Sequence, residues 1–297
     1  MTAGLAAPPP SRTRRFAAWL YSRPRTQVVL LLALPLGFFL LAYIGSLVIL
    51  FLNAFWETDP FSGDVIPVFS LDAFVTLFTE DVYRTIALRT IGMALLVTVT
   101  CAAIGFPVSY YIARIASPRA KRILIIAVLM PLWASYLVKI YTWRTMLGGN
   151  GFVDWLLAPI GLESPGLNSL VSSWIVLTYL WLPYMILPIQ TGLERIPSSL
   201  LEASADLGGK AGNTFRRVVV PLVLPSIVAG SIFTFSLTLG DYITPDLISN
   251  TQFIGNVIYN NSSLGNFPLA AAYSMLPVLI MIIYLLIARR LGAFDSL

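Results

Sequence analysis

Histidine is absent from the 297 residues of this chain, and cysteine occurs once, as Cys101. The missing imidazole removes the side chain that most often serves as a catalytic base or metal ligand, which argues against zinc-dependent or serine–histidine hydrolysis. A single cysteine excludes a disulfide within the chain. The chain also has no Gly-x-x-x-x-Gly-Lys-Ser/Thr sequence, so it does not bind ATP in the P-loop manner. Any energy from ATP must therefore come from another protein.

Charged residues are scarce as well. Lys, Arg, Asp and Glu make up 11% of the chain, against about a quarter of an average soluble domain. Hydrophobic residues reach 57%, and the mean hydropathy is +0.81. This composition predicts a polytopic membrane protein. The net charge of +5 does not indicate nucleic-acid binding, because the basic residues lie beside hydrophobic runs, where they act as topology signals.

Six uncharged runs are long enough, or nearly so, to supply the roughly 20 helical residues that cross a bilayer core. Lipid offers no hydrogen-bond partners to the backbone, so each run is expected to be helical. The expected spans are Thr26 to Trp56, Thr90 to Ala113, Ile123 to Val138 with an extension through Trp143, a segment within Ser164 to Leu193, Val218 to Gly240, and Phe267 to Ala288. Their centres lack Asp, Glu, Lys and Arg, which disfavours a carrier driven by protons or ions. The sequence therefore predicts an all-α membrane protein with six transmembrane helices.

The distribution of Lys and Arg predicts the orientation of these spans. If the N-terminus is cytoplasmic, fifteen of the nineteen basic residues fall in inner segments, and the first outer loop carries six acidic residues from Glu57 to Asp81. This asymmetry follows the positive-inside rule and places both termini in the cytoplasm. We expect a partly disordered N-terminal tail over residues 1–25, a transmembrane domain over 26–290 and a short C-terminal tail over 291–297.

The loop between the fourth and fifth spans contains Glu202-Ala-Ser-Ala-Asp-Leu-Gly208, followed by Phe215 and by Pro221 and Pro225. Its small residues predict a short helix whose backbone can lie close to a partner, and Gly208 is suited to end that helix. The pattern is typical of a helix that docks into a groove on a soluble protein. An ordinary interfacial helix is the alternative.

The same loop resembles the EAA loop of bacterial ABC-importer permeases. The matching residues are Glu202, Ala203, Leu207, Gly208, Phe215, Pro221 and Pro225. Ser204 replaces the second alanine of the usual pattern, and Gly212 stands where a bulkier residue is common. The resemblance implies a type I ABC-importer permease fold with a cytoplasmic coupling helix inside the loop 194–217. The residues that it assigns to ATPase coupling are Glu202, Ala203, Ser204, Ala205, Asp206, Leu207 and Gly208.

Two further stretches resemble permeases of spermidine/putrescine-type importers. They are Pro131 to Trp143 with Gly148 to Gly151 after it, and Gly240 to Asp246 with Ile254 to Val257 after it. The resemblance implies that the transported solute is a polyamine. Related branches import other small solutes, so amino acid derivatives, phosphonates, oxyanions and iron are the alternatives.

Four residues are candidates for the solute pathway. A flexible polycation favours carboxylates and aromatic faces, and each cation–π contact contributes roughly 0.5–2 kcal/mol. Asp241 and Tyr242 after the fifth span fit this requirement, as do Trp181 and Tyr184 in the fourth. The alternatives are that the aromatic residues are interfacial anchors and that Asp241 caps a helix end.

The resemblance also implies the partners of the chain. These are a homologous second permease subunit, two cytoplasmic ATPase subunits, an extracytoplasmic substrate-binding protein and membrane lipid, and not nucleic acid. The chain itself is expected to be non-catalytic and to bind no cofactor or metal, with ATP and Mg²⁺ held by the ATPase. Its expected location is the prokaryotic cytoplasmic (inner) membrane. Two other classes stay open, an ATP-independent secondary carrier and a non-transporting membrane scaffold.

Overall fold

The computed structural model describes residues 21–59 and 62–292. Most of the N-terminal tail expected over residues 1–25 and of the C-terminal tail expected over 291–297 lies outside them. Two very short strands, β1 (Glu57–Thr58) and β2 (Val65–Ile66), form an antiparallel pair. The helices are α1 (Arg25–Asn53), α2 (Asp72–Thr79), α3 (Asp81–Ile115), α4 (Pro118–Trp133), α5 (Tyr136–Leu147), α6 (Phe152–Leu157), α7 (Leu170–Glu194), α8 (Ser198–Asp206), α9 (Ala211–Gly240), α10 (Ile254–Ser263) and α11 (Phe267–Arg290). Shorter turns are the 3-10 turn Ala158–Ile160 and the π-helical turn Pro245–Ser249.

Among the described residues, five helices are long and apolar enough to cross a membrane, namely α1, α3, α7, α9 and α11. The pair of α4 and α5 supplies a sixth span if the two count as one. This agrees with the all-α membrane fold predicted from the sequence. The helices α3 and α9 are longer than the apolar runs that predicted them, because they continue into flanking polar segments.

The third predicted span, Ile123 to Val138 with its extension through Trp143, is wrong as a single helix. The helix is interrupted between α4 and α5, and the chain bends by 96° at this point. Ala134 and Ser135 are extended at the break, with ψ of 140° and 137°. Apolar composition does not encode this change of direction. Pro131 weakens the last turn of α4, because it has no backbone N–H to donate.

The chain divides into two units, residues up to Asn53 and residues from Ala54 onward. In the first unit, α1 begins at Pro24 and Arg25 as an α-helix that runs to Phe38, passes through the π-helical turn Phe39–Ile44 and ends as Gly45–Asn53. Pro24 suits this start, because the first turn of a helix has no use for the missing N–H. The large apolar side chains of α1 are mostly exposed, as expected of a helix that faces lipid.

The second unit is built around α3, α7 and α9, which approach one another at small residues. A Cβ added to Gly192 of α7 would lie 2.6 Å from the Cβ of Ser226 on α9. Met185 of α7 packs against Gly105 of α3 and Gly230 of α9. Small residues let membrane helices pack closely where lipid provides no hydrophobic driving force between them.

Polar contacts hold α10 and α11 against the beginning of α3. The backbone N–H of Ile254 donates to Thr90 Oγ1 at 3.1 Å. The Tyr273 hydroxyl donates to the carbonyl of Tyr83 at 2.8 Å. Both bonds lie between elements more than 160 residues apart in sequence, so they fix the C-terminal part of the unit on α3.

Candidate functional site

Helix α8 ends in a Schellman motif. Its two defining hydrogen bonds, from Gly209 N–H to Ser204 C=O and from Gly208 N–H to Ala205 C=O, are both 2.9 Å long. Gly208 has a φ of +77°, so the helix ends at the glycine that the sequence indicated. A side chain in this left-handed region costs about 1–2 kcal/mol. The sharp end leaves Leu207 at the tip of the helix.

The helix has an inward and an outward face. On the inward face, Leu201 is half-buried against the core, and Ser204 Oγ lies 2.7 Å from Thr214 Oγ1. On the outward face, Ala203 is exposed and Leu207 is 90% exposed. The remaining residues assigned to coupling, Glu202, Ala205 and Asp206, are exposed as well. The outward face is therefore small at Ala203 and apolar at Leu207, which suits close contact with another protein.

The chain segment that follows α8 is anchored on α3 by aromatic packing. Phe215 lies in a π-helical turn at the start of α9. Its ring meets the edges of Phe106 at 5.5 Å and Tyr110 at 5.9 Å between centroids. Such edge-to-face pairs stabilise by about 0.5–1.5 kcal/mol beyond the area they bury. The position of α8 is thereby tied to α3.

Asp241 directly follows α9 and is 7% exposed. Its carboxylate accepts hydrogen bonds from the N–H groups of Ile243 (3.0 Å) and Thr244 (3.1 Å), from the Thr244 hydroxyl (2.8 Å) and from the Tyr136 hydroxyl (2.6 Å). The two backbone bonds have the pattern of a helix N-cap. Burial raises the pKa of this carboxyl above its ordinary value, and the hydrogen bonds, led by that of Tyr136, oppose the rise.

An aromatic row leads away from Asp241. The Tyr136 ring stacks on Trp181 with centroids 6.0 Å apart, and Trp181 meets Tyr184 at 6.0 Å. Tyr184 in turn stacks on Phe233 at 6.4 Å. Trp181 is 8% exposed and Phe233 is 51% exposed. The aromatic row, Tyr136, Trp181, Tyr184 and Phe233, thus runs from the interior of the chain to its surface.

The side chain of Tyr242 lies outside the aromatic row. Its ring stacks on Tyr259 with centroids 4.7 Å apart, and both rings line a cavity of about 310 Å³ next to α10. The structure therefore brings Trp181, Tyr184 and Asp241 together through Tyr136, and it does not bring Tyr242 into that group.

Helix α7 carries buried polar atoms that have no hydrogen-bond partner among the described residues. They are Ser173 Oγ, Thr178 Oγ1, Trp181 Nε1 and Gln190 Oε1. Buried polar groups are rarely left unpaired, because each unpaired group costs about 1–3 kcal/mol. One of them, Trp181 Nε1, belongs to the aromatic row. The helix therefore has hydrogen-bonding groups that no described residue of the chain pairs with.

Sequence reasoning missed two members of the aromatic row. Tyr136 lies inside the stretch 131–143 that the resemblance singled out, but its bond to Asp241 crosses 105 residues of sequence. Phe233 lies in the middle of an apolar span, where a pathway residue and a lipid-facing residue look the same. No signal in the sequence distinguished Phe233.

Comparison with known proteins gives several relatives. The chain is 43% identical over 299 residues to "Inner membrane ABC transporter permease protein YdcU" of Escherichia coli (strain K12), with 95% of each sequence covered. It is 30% identical over 229 residues to "Spermidine/putrescine transport system permease protein PotB" of Salmonella typhimurium (strain SL1344), covering 75% of this chain and 79% of the relative.

A solved structure shares the fold. It is a crystal structure of a bacterial alginate ABC transporter in complex with an alginate pentasaccharide-bound periplasmic protein. The match has a TM-score of 0.73 and 16% sequence identity, and it covers 92% of this chain and 96% of the other. At this identity the likeness concerns the fold alone.

A family model described as "Binding-protein-dependent transport system inner membrane component" matches residues 14–294. The match covers nearly the whole chain and includes all the spans, α8 and the aromatic row. The chain therefore belongs to the family of inner membrane components of binding-protein-dependent transport systems.

Proposed function

We propose that this chain forms half of the translocation pathway of an ATP-driven importer and that α8 is the helix on which a separate ATPase subunit docks. The observation that carries the proposal is the outward face of α8, which is exposed, small at Ala203 and apolar at Leu207. Ala203 and Leu207 lie one helical turn apart on the same face, so a partner can approach the backbone closely at Ala203 and cover the Leu207 side chain.

The orientation follows from charge. In the predicted six-span topology, fifteen of the nineteen basic residues fall in the segments on the same side as α8, and such residues accumulate on the cytoplasmic side. The proposal therefore places α8 in the cytoplasm, where ATPase subunits are found. The chain has no P-loop sequence, so ATP and Mg²⁺ belong to the ATPase, and the permease is non-catalytic.

The proposed assembly contains two permeases, this chain and a homologous partner, with two ATPase subunits below them and a binding protein outside. Closure of the ATPase pair on ATP would draw the two docking helices together. Because the chain segment that follows α8 is held on α3 through Phe215, such a movement would reach the membrane helices and change the side to which the pathway opens.

We further propose that the solute is a polyamine, on the basis of the aromatic row and of the name of the PotB relative. Aromatic faces attract ammonium groups by about 0.5–2 kcal/mol each. The Tyr136 hydroxyl donates to the Asp241 carboxylate, and this bond makes the ring more electron-rich and a better partner for a cation. Trp181 supplies a second aromatic face, stacked on Tyr136. An oxyanion is not attracted by aromatic faces, because the faces carry partial negative charge.

Replacing Tyr184 by leucine is expected to lower spermidine uptake by about 2- to 30-fold, because it removes one aromatic face from the row. Tyr184→Phe keeps the ring and should transport spermidine at close to the wild-type rate. The measurement is uptake of labelled spermidine by the assembled complex in proteoliposomes, with its binding protein and ATP. Basal ATP hydrolysis serves as the control, since Tyr184 lies within the membrane-spanning helix α7 and is not part of α8.

If Tyr184→Leu and Tyr184→Phe take up spermidine equally well, the aromatic row is not part of the solute pathway. A complex that transports sulfate or ferric iron and no amine would overturn the proposed solute. The importer assignment would survive that result, because it rests on the family and on α8.

A further inference from the structure

The segment that leads from α7 into α8 is held by an arginine from α3. Arg114 lies in the π-helical turn Tyr111–Ile115 at the end of α3 and is half-buried. Its Nη2 donates to the carbonyl of Ile196 at 2.7 Å and also to the carbonyl of Leu193. Leu193 and Ile196 are both buried. One guanidinium therefore joins α3 to the last turn of α7 and to Ile196, two residues before α8 begins.

The guanidinium of Arg114 is chemically suited to its position at the end of α7. The last carbonyls of a helix have no partner within the helix, and they form the negative end of its dipole. A guanidinium placed there binds one such oxygen, that of Leu193, is favoured by the dipole, and also binds the Ile196 oxygen just beyond the helix. Hydrogen bonds that involve a charged group are about twice as strong as neutral ones.

A second, weaker connection lies beside it. Lys121 of α4 pairs with Glu194 at 2.9 Å, and Gln190 Nε2 donates to the same carboxylate at 2.9 Å. Both charged side chains are about one-third exposed, so solvent screens the pair and it contributes little. Arg114 is the connection that reaches buried backbone.

The end of α3 thus contacts both sides of the loop that carries α8. Arg114 holds the entry into α8, and Phe106 and Tyr110 hold the exit through Phe215. Helices α7 and α9 are covalently joined to α8 through a few residues, whereas α3 reaches the two ends of this loop through noncovalent contacts.

We propose that Arg114 is a positioning residue that transmits the movement of α8 to α3, so that ATP hydrolysis moves all three central helices together. The proposal rests on the docking role of α8 proposed above. Without Arg114, α8 still binds the ATPase, because its outward face is unchanged, but α3 follows its movement less fully, since only the packing of α3 on α7 and on Phe215 is left to carry it.

The test measures movement in the membrane separately from ATPase binding. In a Cys101→Ser background, Val99→Cys places one exposed thiol on α3, outside the aromatic row. The rate of thiol labelling is measured on the complete complex with and without ATP plus vanadate. We expect nucleotide to change this rate by at least about fivefold in the otherwise wild-type complex and by less than about twofold with Arg114→Ala. The amount of ATPase subunit that co-purifies should be the same in both.

Two variants control for folding and charge. Arg119→Ala removes one positive charge from an exposed position five residues away and should respond to nucleotide as the wild type does. Arg114→Lys keeps the charge and can bond one of the two carbonyls, so its response should lie between those of wild type and Arg114→Ala. This graded order is not expected from a residue that only stabilises the fold.

Several outcomes would overturn the inference. The inference fails if nucleotide changes the labelling rate in Arg114→Ala as much as in the wild type. It also fails if nucleotide does not change the rate in the wild-type complex, because Arg114 would then have no movement to transmit. Loss of the ATPase subunit in Arg114→Ala would show that the residue supports docking instead. If the Gly208→Val complex still binds the ATPase and couples its hydrolysis to transport, the proposed docking role of α8 is wrong, and the inference about Arg114 falls with it.

Discussion

Replacing Gly208 by valine is expected to reduce co-purification of the ATPase subunit, or to uncouple its ATP hydrolysis from transport, while the permease still inserts into the membrane. Gly208 adopts a φ of +77°, and a Cβ there would meet nothing within 4 Å. The substitution therefore causes no clash, and its cost of about 1–2 kcal/mol comes from the left-handed backbone. The Schellman motif opens, and Leu207 loses its fixed position at the tip of α8.

The same loop offers a matched control. Gly212 also has open space around its Cβ position but has no positive φ, so Gly212→Val should leave ATPase binding at the wild-type level. Ala203→Trp adds bulk to the exposed outward face and should hold the helix away from its partner, with the same result as Gly208→Val. If both variants bind the ATPase and transport as the wild type does, α8 is an ordinary interfacial helix.

Replacing Gly192 by valine is expected to destabilise the purified permease by about 1–3 kcal/mol, which is the usual cost of overpacking a core. A Cβ at position 192 would lie 2.6 Å from the Cβ of Ser226. Side-chain rotation cannot move a Cβ, so α7 and α9 would have to separate. Thermal denaturation of the detergent-solubilised protein measures the effect.

Gly92→Val is the control for this prediction. Gly92 also lies inside a helix, but a Cβ there would have no neighbour within 4 Å. Both substitutions change the intrinsic helix propensity in the same way, so their difference reports the contact between α7 and α9. Ser226→Gly should restore part of the stability lost in Gly192→Val. Equal thermal stability of Gly192→Val and Gly92→Val would mean that α7 and α9 do not pack as described.

The membrane helices and the end of α8 were predictable from the sequence because both depend on local chemistry. An apolar run of sufficient length must be helical in lipid, and a glycine after a run of small helical residues favours a C-terminal cap. The break at Ala134 and Ser135 was not predictable in this way. The residues on both sides are apolar, and the direction of α5 depends on a bond from Tyr136 to Asp241, which is distant in sequence.

The candidate site, too, was predictable from the sequence only in part. Trp181, Tyr184 and Asp241 were found from residue type, but the aromatic row that joins them became visible only through Tyr136 and Phe233. Arg114 was counted among the topology signals, since its charge obeys the positive-inside rule. Its contact with the carbonyls of Leu193 and Ile196 depends on how α3 and α7 pack, and no local pattern encodes that packing.

The central claim is that α8 touches an ATPase on the cytoplasmic side, and a crosslink from Leu207 tests it most directly. In a Cys101→Ser background, Leu207→Cys would be treated with a short thiol-to-amine crosslinker in membranes that contain the assembled complex. Leu264→Cys is the control, because Leu264 is similarly exposed, at 84%, but lies in the turn between α10 and α11. We predict a covalent product of permease and ATPase for Leu207→Cys alone, and an impermeant thiol reagent added outside intact cells should not block it. The account would be contradicted by no product at position 207, or by a thiol at that position that reacts from outside.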